Sequence, residues 1–173
     1  MTSDNHEFLI LNCTEMDFII NRNQFFASIV LEETVKYKSQ ARHFSSLMKY
    51  HEQTLPVFDF NAFLKDTFGS GIESIFNIAL ISDITLFSEG NQSAYRNLIL
   101  KENTELSSEY LALKVNVQAE IKRVPLSEIR LIPSGLRAKL NKEGILGCRF
   151  PLKNNIQYFV DIETIIFKCI EEV

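Results

Sequence analysis

Thr54-Leu-Pro-Val-Phe-Asp-Phe60 reads as a strand that ends on a carboxylate and turns straight into a helix. Pro56 has no amide to give to a ladder, which places this strand at a sheet edge or a bulge. Asp59 then opens a short helix, Phe60 to Phe68. Its carboxylate can accept from a first-turn amide, where the helix field favours negative charge. Gly69-Ser-Gly71 ends that helix. The pattern recurs in Tyr158-Phe-Val-Asp161-Ile-Glu-Thr-Ile-Ile166. Both segments read apolar-Asp-apolar-x-x-apolar-apolar, so Asp59 and Asp161 are expected to be structural caps. A weaker pair, Ile20-Asn-Arg-Asn-Gln-Phe25 and Val124-Pro-Leu-Ser-Glu-Ile129, closes a strand with a polar turn and an apolar anchor. A unit used twice predicts two similar β-barrels sharing one core.

The flanks agree with a mainly β chain. Phe8 to Thr14 and Asp17 to Ile20 read as a hairpin around Glu15-Met16. A helical turn follows at 21–24, with Asn23 as its cap. Ala27 to Lys36 reads as one strand, and Lys38 to His43 as a polar loop. Residues 72–84 fit either a helical face or a buried strand, and periodicity does not separate the two. Ser88 to Ser93 reads as loop, and Asn97 to Lys101 as a short strand. Tyr110 to Val124 is the longest strand candidate. Leu111, Leu113, Val115 and Val117 form a core face, and Ala112, Lys114, Asn116 and Gln118 a wet one. A bend is expected at Lys122-Arg123. Pro125 to Ile129 is one helical turn, and 132–135 a break. Gly144 to Phe150 and Ile156 to Val160 pair through Pro151 to Asn155, and Asp161 opens a final helix to Glu172.

Composition excludes more than it selects. The 173 residues carry a net charge of −4, with 14 Phe, 5 Tyr and no Trp. An acidic chain lacks the basic stripe of a nucleic-acid binder and the charge for docking to an anionic membrane. Lys36, Lys38, Arg42 and Lys49 beside Phe44 and Tyr50 read as a solvated loop rather than a single-strand groove. No apolar run is long enough for a membrane span, and the polar start has no signal-peptide character, so a cytoplasmic chain is expected. Cys13, Cys148 and Cys169 are widely spaced and set among apolar residues, which predicts buried thiols and no zinc site. His6 lies in a polar tail. His43 and His51 flank Phe44 to Tyr50, with Glu52 as the one close acid. No cofactor, metal or catalytic centre is expected.

The order of these segments resembles the CheW-like family, the coupling proteins of bacterial chemotaxis. The likeness spans most of the chain. It rests on the opening hairpin Phe8 to Ile20, on Leu55-Pro56-Val57-Phe58-Asp59-Phe60, on Val115-Asn116 with Ile121 to Ile129, and on Gly144-Ile-Leu-Gly147 with Phe159-Val-Asp161-Ile162. The resemblance implies one domain over 1–173 made of two intertwined, SH3-like, five-stranded barrels with short helices and a C-terminal helix. It implies a non-catalytic adaptor that couples a chemoreceptor signalling tip to the regulatory domain of a chemotaxis histidine kinase. Residues 72–92 look like an insertion in that frame.

The departures mark the expected partner surface. Where the family carries an Asn-Leu-Arg-Gly turn, this chain has Lys49-Tyr50-His51-Glu52. Glu52 replaces the glycine that would permit a positive φ, so the turn needs another shape. His51 replaces the Arg, and Asn116 stands where Asp is usual. Lys49, Tyr50, His51 and Glu52, with Phe44 and Leu47 alongside, are therefore the expected partner-binding residues. The alternative is a barrel module serving an unrelated partner outside chemotaxis; an enzyme ranks third.

Overall fold

A computed structural model describes residues 5–13, 16–69, 77–102, 106, 109–116, 119–133, 135–136, 144–152 and 155–172. The expected Glu15 turn, Ser70-Gly71, the start of the 72–84 segment, Val117, Gln118 and the centre of the 151–155 turn lie outside them. Twelve strands form two six-stranded sheets. They are β1 (Asn5–Asn12), β2 (Asp17–Asn21), β3 (Ala27–Val30), β4 (Val35–Lys36), β5 (Phe44–Tyr50), β6 (Gln53–Asp59), β7 (Asn77–Asp83), β8 (Tyr110–Asn116), β9 (Glu120–Pro125), β10 (Arg130–Leu131), β11 (Ile145–Leu152) and β12 (Asn155–Val160). Helices α1 (Phe60–Phe68), α2 (Glu89–Leu98) and α3 (Ile162–Glu171) complete the fold.

One sheet runs β10-β11-β12-β2-β1-β9, and the other β4-β5-β6-β8-β7-β3. The two orders match strand for strand. Each contains a single parallel pair, β12 with β2 and β6 with β8. The registers match as well: Val160 lies beside Ile20 as Phe58 lies beside Leu113. The chain is thus a hairpin, a four-strand block and a helix, used twice, with the hairpins exchanged. The β1–β2 hairpin joins the C-terminal block to make a terminal barrel. The β7–β8 hairpin joins the first block to make a central barrel. This exchange is what intertwines the two SH3-like barrels. Each has five principal strands, and the two-residue β4 or β10 is its sixth.

Each sheet buries both faces. Phe8, Ile10, Ile19 and Val124 fill the terminal barrel. Met48, Leu55, Val57, Ala79, Ile81 and Ala112 fill the central one. The alternate residues Leu9, Leu11, Phe18, Ile20, Phe58, Leu80, Leu111 and Leu113 meet in a core shared by both sheets. Strands buried on two sides read as continuous apolar runs, which is the pattern of 8–11 and 18–20. Helix faces close the shared core: Phe60, Phe63 and Leu64 of α1, and Ile162, Ile165, Ile166, Cys169 and Ile170 of α3.

Several expectations change. The 27–36 strand is two strands, broken at 31–34, where the chain passes from one sheet edge to the other. Pro56 is interior, between β5 and β8. Pairing with β8 begins only at Val57, so the missing amide removes no ladder bond. Ala112 is buried because the supposed wet face lines the central barrel. The expected 110–124 strand is two strands, β8 ending at Asn116 and β9 beginning at Glu120, ahead of the expected bend. Asn21, not Asn23, caps the 22–24 turn by accepting from the Asn23 amide at 3.0 Å. That turn joins β2 to β3, whose counterparts are β8 and β9, whereas 124–129 joins β9 to β10, so the weaker echo is a local likeness only.

Of the 72–92 segment, 77–83 is β7, a strand between β3 and β8. The extra chain relative to the β1–β2 hairpin is 84–109. It holds α2 where a loop and a short strand were expected. The α2 backbone begins at Ser88, whose amide donates to Glu163 Oε1 of α3 at 2.7 Å. Asn91 Nδ2 donates to the same oxygen at 2.6 Å. At its far end Glu102 accepts from the Tyr37 and Ser39 hydroxyls and the Gln40 amide, at 2.6, 2.7 and 3.0 Å.

The two capping carboxylates differ. Asp59 Oδ1 accepts from the Ala62 amide at 2.9 Å, and Lys114 Nζ reaches Asp59 Oδ2 at 3.1 Å. Asp161 makes no bond to a helix amide. It accepts instead from Thr164 Oγ1 at 2.6 Å and from Gln24 Nε2 at 3.2 Å. Its role is to tie α3 to the crossing between barrels. Asp59→Ala is expected to cost about 1–2 kcal/mol as a lost cap. Asp161→Ala with Gln24→Leu should cost less than the two single changes summed, because they share one bond. Urea denaturation of the four proteins reads both effects; strict additivity would break the Asp161–Gln24 assignment.

Candidate functional site

Of the six residues expected to touch a partner, the structure brings four to the surface. Lys49, Tyr50, His51 and Glu52 form the tip of the β5–β6 hairpin. His51 supplies the positive φ, at 53°, that the missing glycine would have given. Histidine is among the side chains that enter this region more readily than most. Phe44 and Leu47 are corrected out of the partner set, because they are 2% and 5% exposed and belong to the shared core. Strand β5 is buried on two faces, so both rows of its apolar side chains point inward.

The hairpin tip completes an aromatic patch. The Phe26 ring lies 5.1 Å from Tyr110 and 6.4 Å from Tyr50, and the Tyr50 ring lies 4.4 Å from His51. Phe26 is 52% exposed. Sequence reasoning missed Phe26 and Tyr110. A signal was present: Phe25-Phe26 enter a strand, and successive side chains there point to opposite faces. Phe25 takes the core and Phe26 the surface.

Beside the patch runs an open groove of about 740 Å³. One wall is Ile29 to Val35, the other Leu47, Met48, Lys49 and Thr54. That volume is in the usual range of about 300–1,000 Å³ for ligand clefts. The lining is mixed, with Glu32, Glu33, Thr34, Lys49 and Thr54 among the apolar side chains, and Lys49 donates to Thr54 Oγ1. Val30 and Val35 are well exposed along the rim. This surface has the shape and chemistry for holding a polypeptide, with no arranged acid–base pair.

The histidines and cysteines lie elsewhere. His43 and His51 stand at opposite ends of β5, about 23 Å apart for a seven-residue strand. His43 packs edge-on against Phe58 and Phe63, and burial lowers its pKa below the ordinary histidine value. Its ring is 3.9 Å from Asp66. Cys169 is buried, and desolvation raises its thiol pKa to about 11. Cys13 and Cys148 are half-buried, so only one of the three thiols is fully in the core. Among the described residues no three His, Cys, Asp or Glu side chains form a metal-sized group. No described helix is long and apolar enough to cross a membrane.

The fold has a solved counterpart. The scaffolding protein TtCheW from Thermoanaerobacter tengcongensis superposes with a TM-score of 0.60, covering 91% of this chain and 85% of that one. The two sequences are 12% identical, so the likeness is one of fold. No protein-family model and no curated protein matches the sequence. The two barrels expected from the strand–Asp–helix echo are therefore a known architecture, held here by a sequence 12% identical to that of its counterpart.

Proposed function

We propose that this chain is a non-catalytic scaffold of the chemotaxis type, working in the cytoplasm. In this reading it couples a chemoreceptor signalling tip to the regulatory domain of a histidine kinase. The observation that carries it is the two-barrel fold, shared over nearly the whole chain with a scaffolding protein. The aromatic patch on the central barrel supports it, since exposed rings clustered beside a groove are the usual anchors of a protein interface. Phe26, Tyr50, His51 and Tyr110 are the residues assigned to that contact. The 49–52 turn differs from the family pattern, which favours a second reading: the same docking surface serving a partner outside chemotaxis.

Capture of chemoreceptor and kinase fragments from the native cell separates the two. The first reading expects both fragments at micromolar protein, and neither is expected under the second. Phe26→Ala with Tyr50→Ala should weaken capture at least about tenfold, the loss of roughly 1.4 kcal/mol expected for interface anchors. Phe26 lies outside the cores but Tyr50 packs against the central one, so Phe26→Ala alone, which should barely move the unfolding midpoint, separates lost capture from lost stability. Undiminished capture by the double variant would remove the patch from the interface.

A further inference from the structure

The two barrels are built alike, and this exposes a difference at one equivalent place. In each, the sheet closes on itself at a seam between its first edge strand and the strand that follows the two-residue piece. In the terminal barrel the seam lies between β9 and β11, and in the central barrel between β3 and β5. The registers fix the correspondence: Val35 opposite Leu47 matches Arg130 opposite Cys148. Met48 therefore stands where Arg149 stands, Glu33 where Glu128 stands, and Lys49 where Phe150 stands.

The terminal seam is latched by side chains. Arg149 forks onto Glu128 at 2.7 Å, and Arg130 lies 5.8 Å over the Phe150 ring. The central seam has no such latch. Met48 cannot pair with Glu33, and Val35 cannot stack as Arg130 does. Neither Glu32 nor Glu33 has an ion-pair partner among the described residues. This unlatched seam is the 740 Å³ groove, and the latched one keeps a smaller hollow of about 440 Å³ over Glu128, Arg130, Arg149 and Phe150.

Its walls are open strand edges. The Leu31 amide donates to Asn77 O at 3.0 Å, which sets the alternation along β3. Ile29 and Leu31 turn their backbone groups to β7, and Ser28 and Val30 turn theirs into the seam. On β5, Tyr37 donates to Ser45 O at 2.9 Å, so the residues facing β4 are Ser45 and Leu47. Lys49 is the next in that row, and β4 begins only at Val35, so no strand residue stands opposite it. The open edge of β3, facing the uncovered end of β5 across a groove with Leu47 and Met48 in its wall, is a site for strand addition.

We infer that the central seam takes an extended segment of a partner protein as an added β-strand. The segment alternates apolar residues and carries a Lys or Arg that meets Glu33, as Arg149 meets Glu128 in the latched barrel. The inference rests on the reading of the central barrel as the docking side and names its ligand class.

The test is selection of short random peptides, displayed on phage, against the full-length protein. Enriched peptides should alternate apolar residues and carry a basic one, and should slow hydrogen exchange at the Ser28, Val30 and Lys49 amides. Val30→Pro blocks the open edge without removing a bond to β7 and should weaken binding at least about tenfold. Met48→Arg should install the missing latch with Glu33 and do the same; because Met48 is buried in the central core, its unfolding midpoint is measured alongside, and Val30→Pro carries the test if the barrel does not fold. Glu33→Gln should weaken basic peptides and spare their uncharged versions. No enriched peptide, binding unchanged in both Val30→Pro and Met48→Arg, or unprotected amides would overturn the inference. Chemoreceptor capture on the same variants keeps the readings apart. Capture lost with Phe26→Ala and Tyr50→Ala but retained with Val30→Pro and Met48→Arg leaves the docking reading standing and overturns the seam. Peptide binding without fragment capture upholds the seam and removes the chemotaxis role.

Discussion

Phe58→Ala is expected to lower the unfolding free energy by about 3–5 kcal/mol, the usual cost of truncating a fully buried ring. Phe58 is 0% exposed. It lies on β6, between the antiparallel β5 and the parallel β8, and points into the core shared by the two barrels. Its ring contacts Phe44 at 5.1 Å, His43 at 6.0 Å and Phe63 of α1 at 6.2 Å. No neighbour can collapse into the gap cheaply, because each is fixed on a strand or helix of its own. The hairpin exchange adds a second expectation. The terminal barrel is split, with the central barrel, β3 to β8, set into the chain between its β2 and β9, so the loss should appear as one earlier transition in urea followed by circular dichroism and by Tyr fluorescence. Two separated transitions, or a loss below about 1 kcal/mol, would mean that the barrels fold apart and the shared core contributes little.

Local patterns in this sequence were legible, and distant pairings were not. The strand–Asp–helix units at 59 and 161 could be read because strand period, cap and helix period all lie within a dozen residues. The exchange of hairpins could not, since nothing near the β1–β2 hairpin says that its partner strands are at 120–125 and 155–160. The 89–98 helix was missed for a related reason. Its sequence is polar, Tyr95 alone of its residues is buried, and the acceptor at its start is Glu163 from another helix. Its fold comes from a neighbour that a local window does not contain.

The candidate site divides along the same line. Tyr50 and His51 were found because a hairpin tip is a local feature. Phe44 and Leu47 were misplaced because strand alternation assumes one wet face, and β5 has none over that stretch. Glu33 and Met48 carried no signal by themselves. Their meaning depends on Glu128 and Arg149, which occupy the equivalent places in the other barrel. A repeat exposes such differences only after the register has aligned its two copies.

Gly144→Ala is the second large loss expected, at about 2–5 kcal/mol from two sources. Gly144 has φ +76°, a left-handed conformation that costs an L-residue roughly 1–2 kcal/mol. An added Cβ would also lie 2.6 Å from Ile165 Cγ1 and 3.4 Å from the Asp161 carbonyl. Ile165 is 1% exposed and β-branched, so it has no free rotamer to retreat into. The backbone cannot move aside either, because Gly144 O accepts from the Asp161 amide at 2.8 Å, fixing the start of α3. Gly69 provides the internal control. Its φ is +67°, yet nothing lies within 4 Å of a Cβ built there. Gly69→Ala should therefore show the backbone cost alone. The difference between the two variants in urea measures the steric part, expected at about 1–3 kcal/mol. Equal losses would mean that Ile165 yields without cost and that α3 is seated more loosely on the terminal barrel than its contacts require.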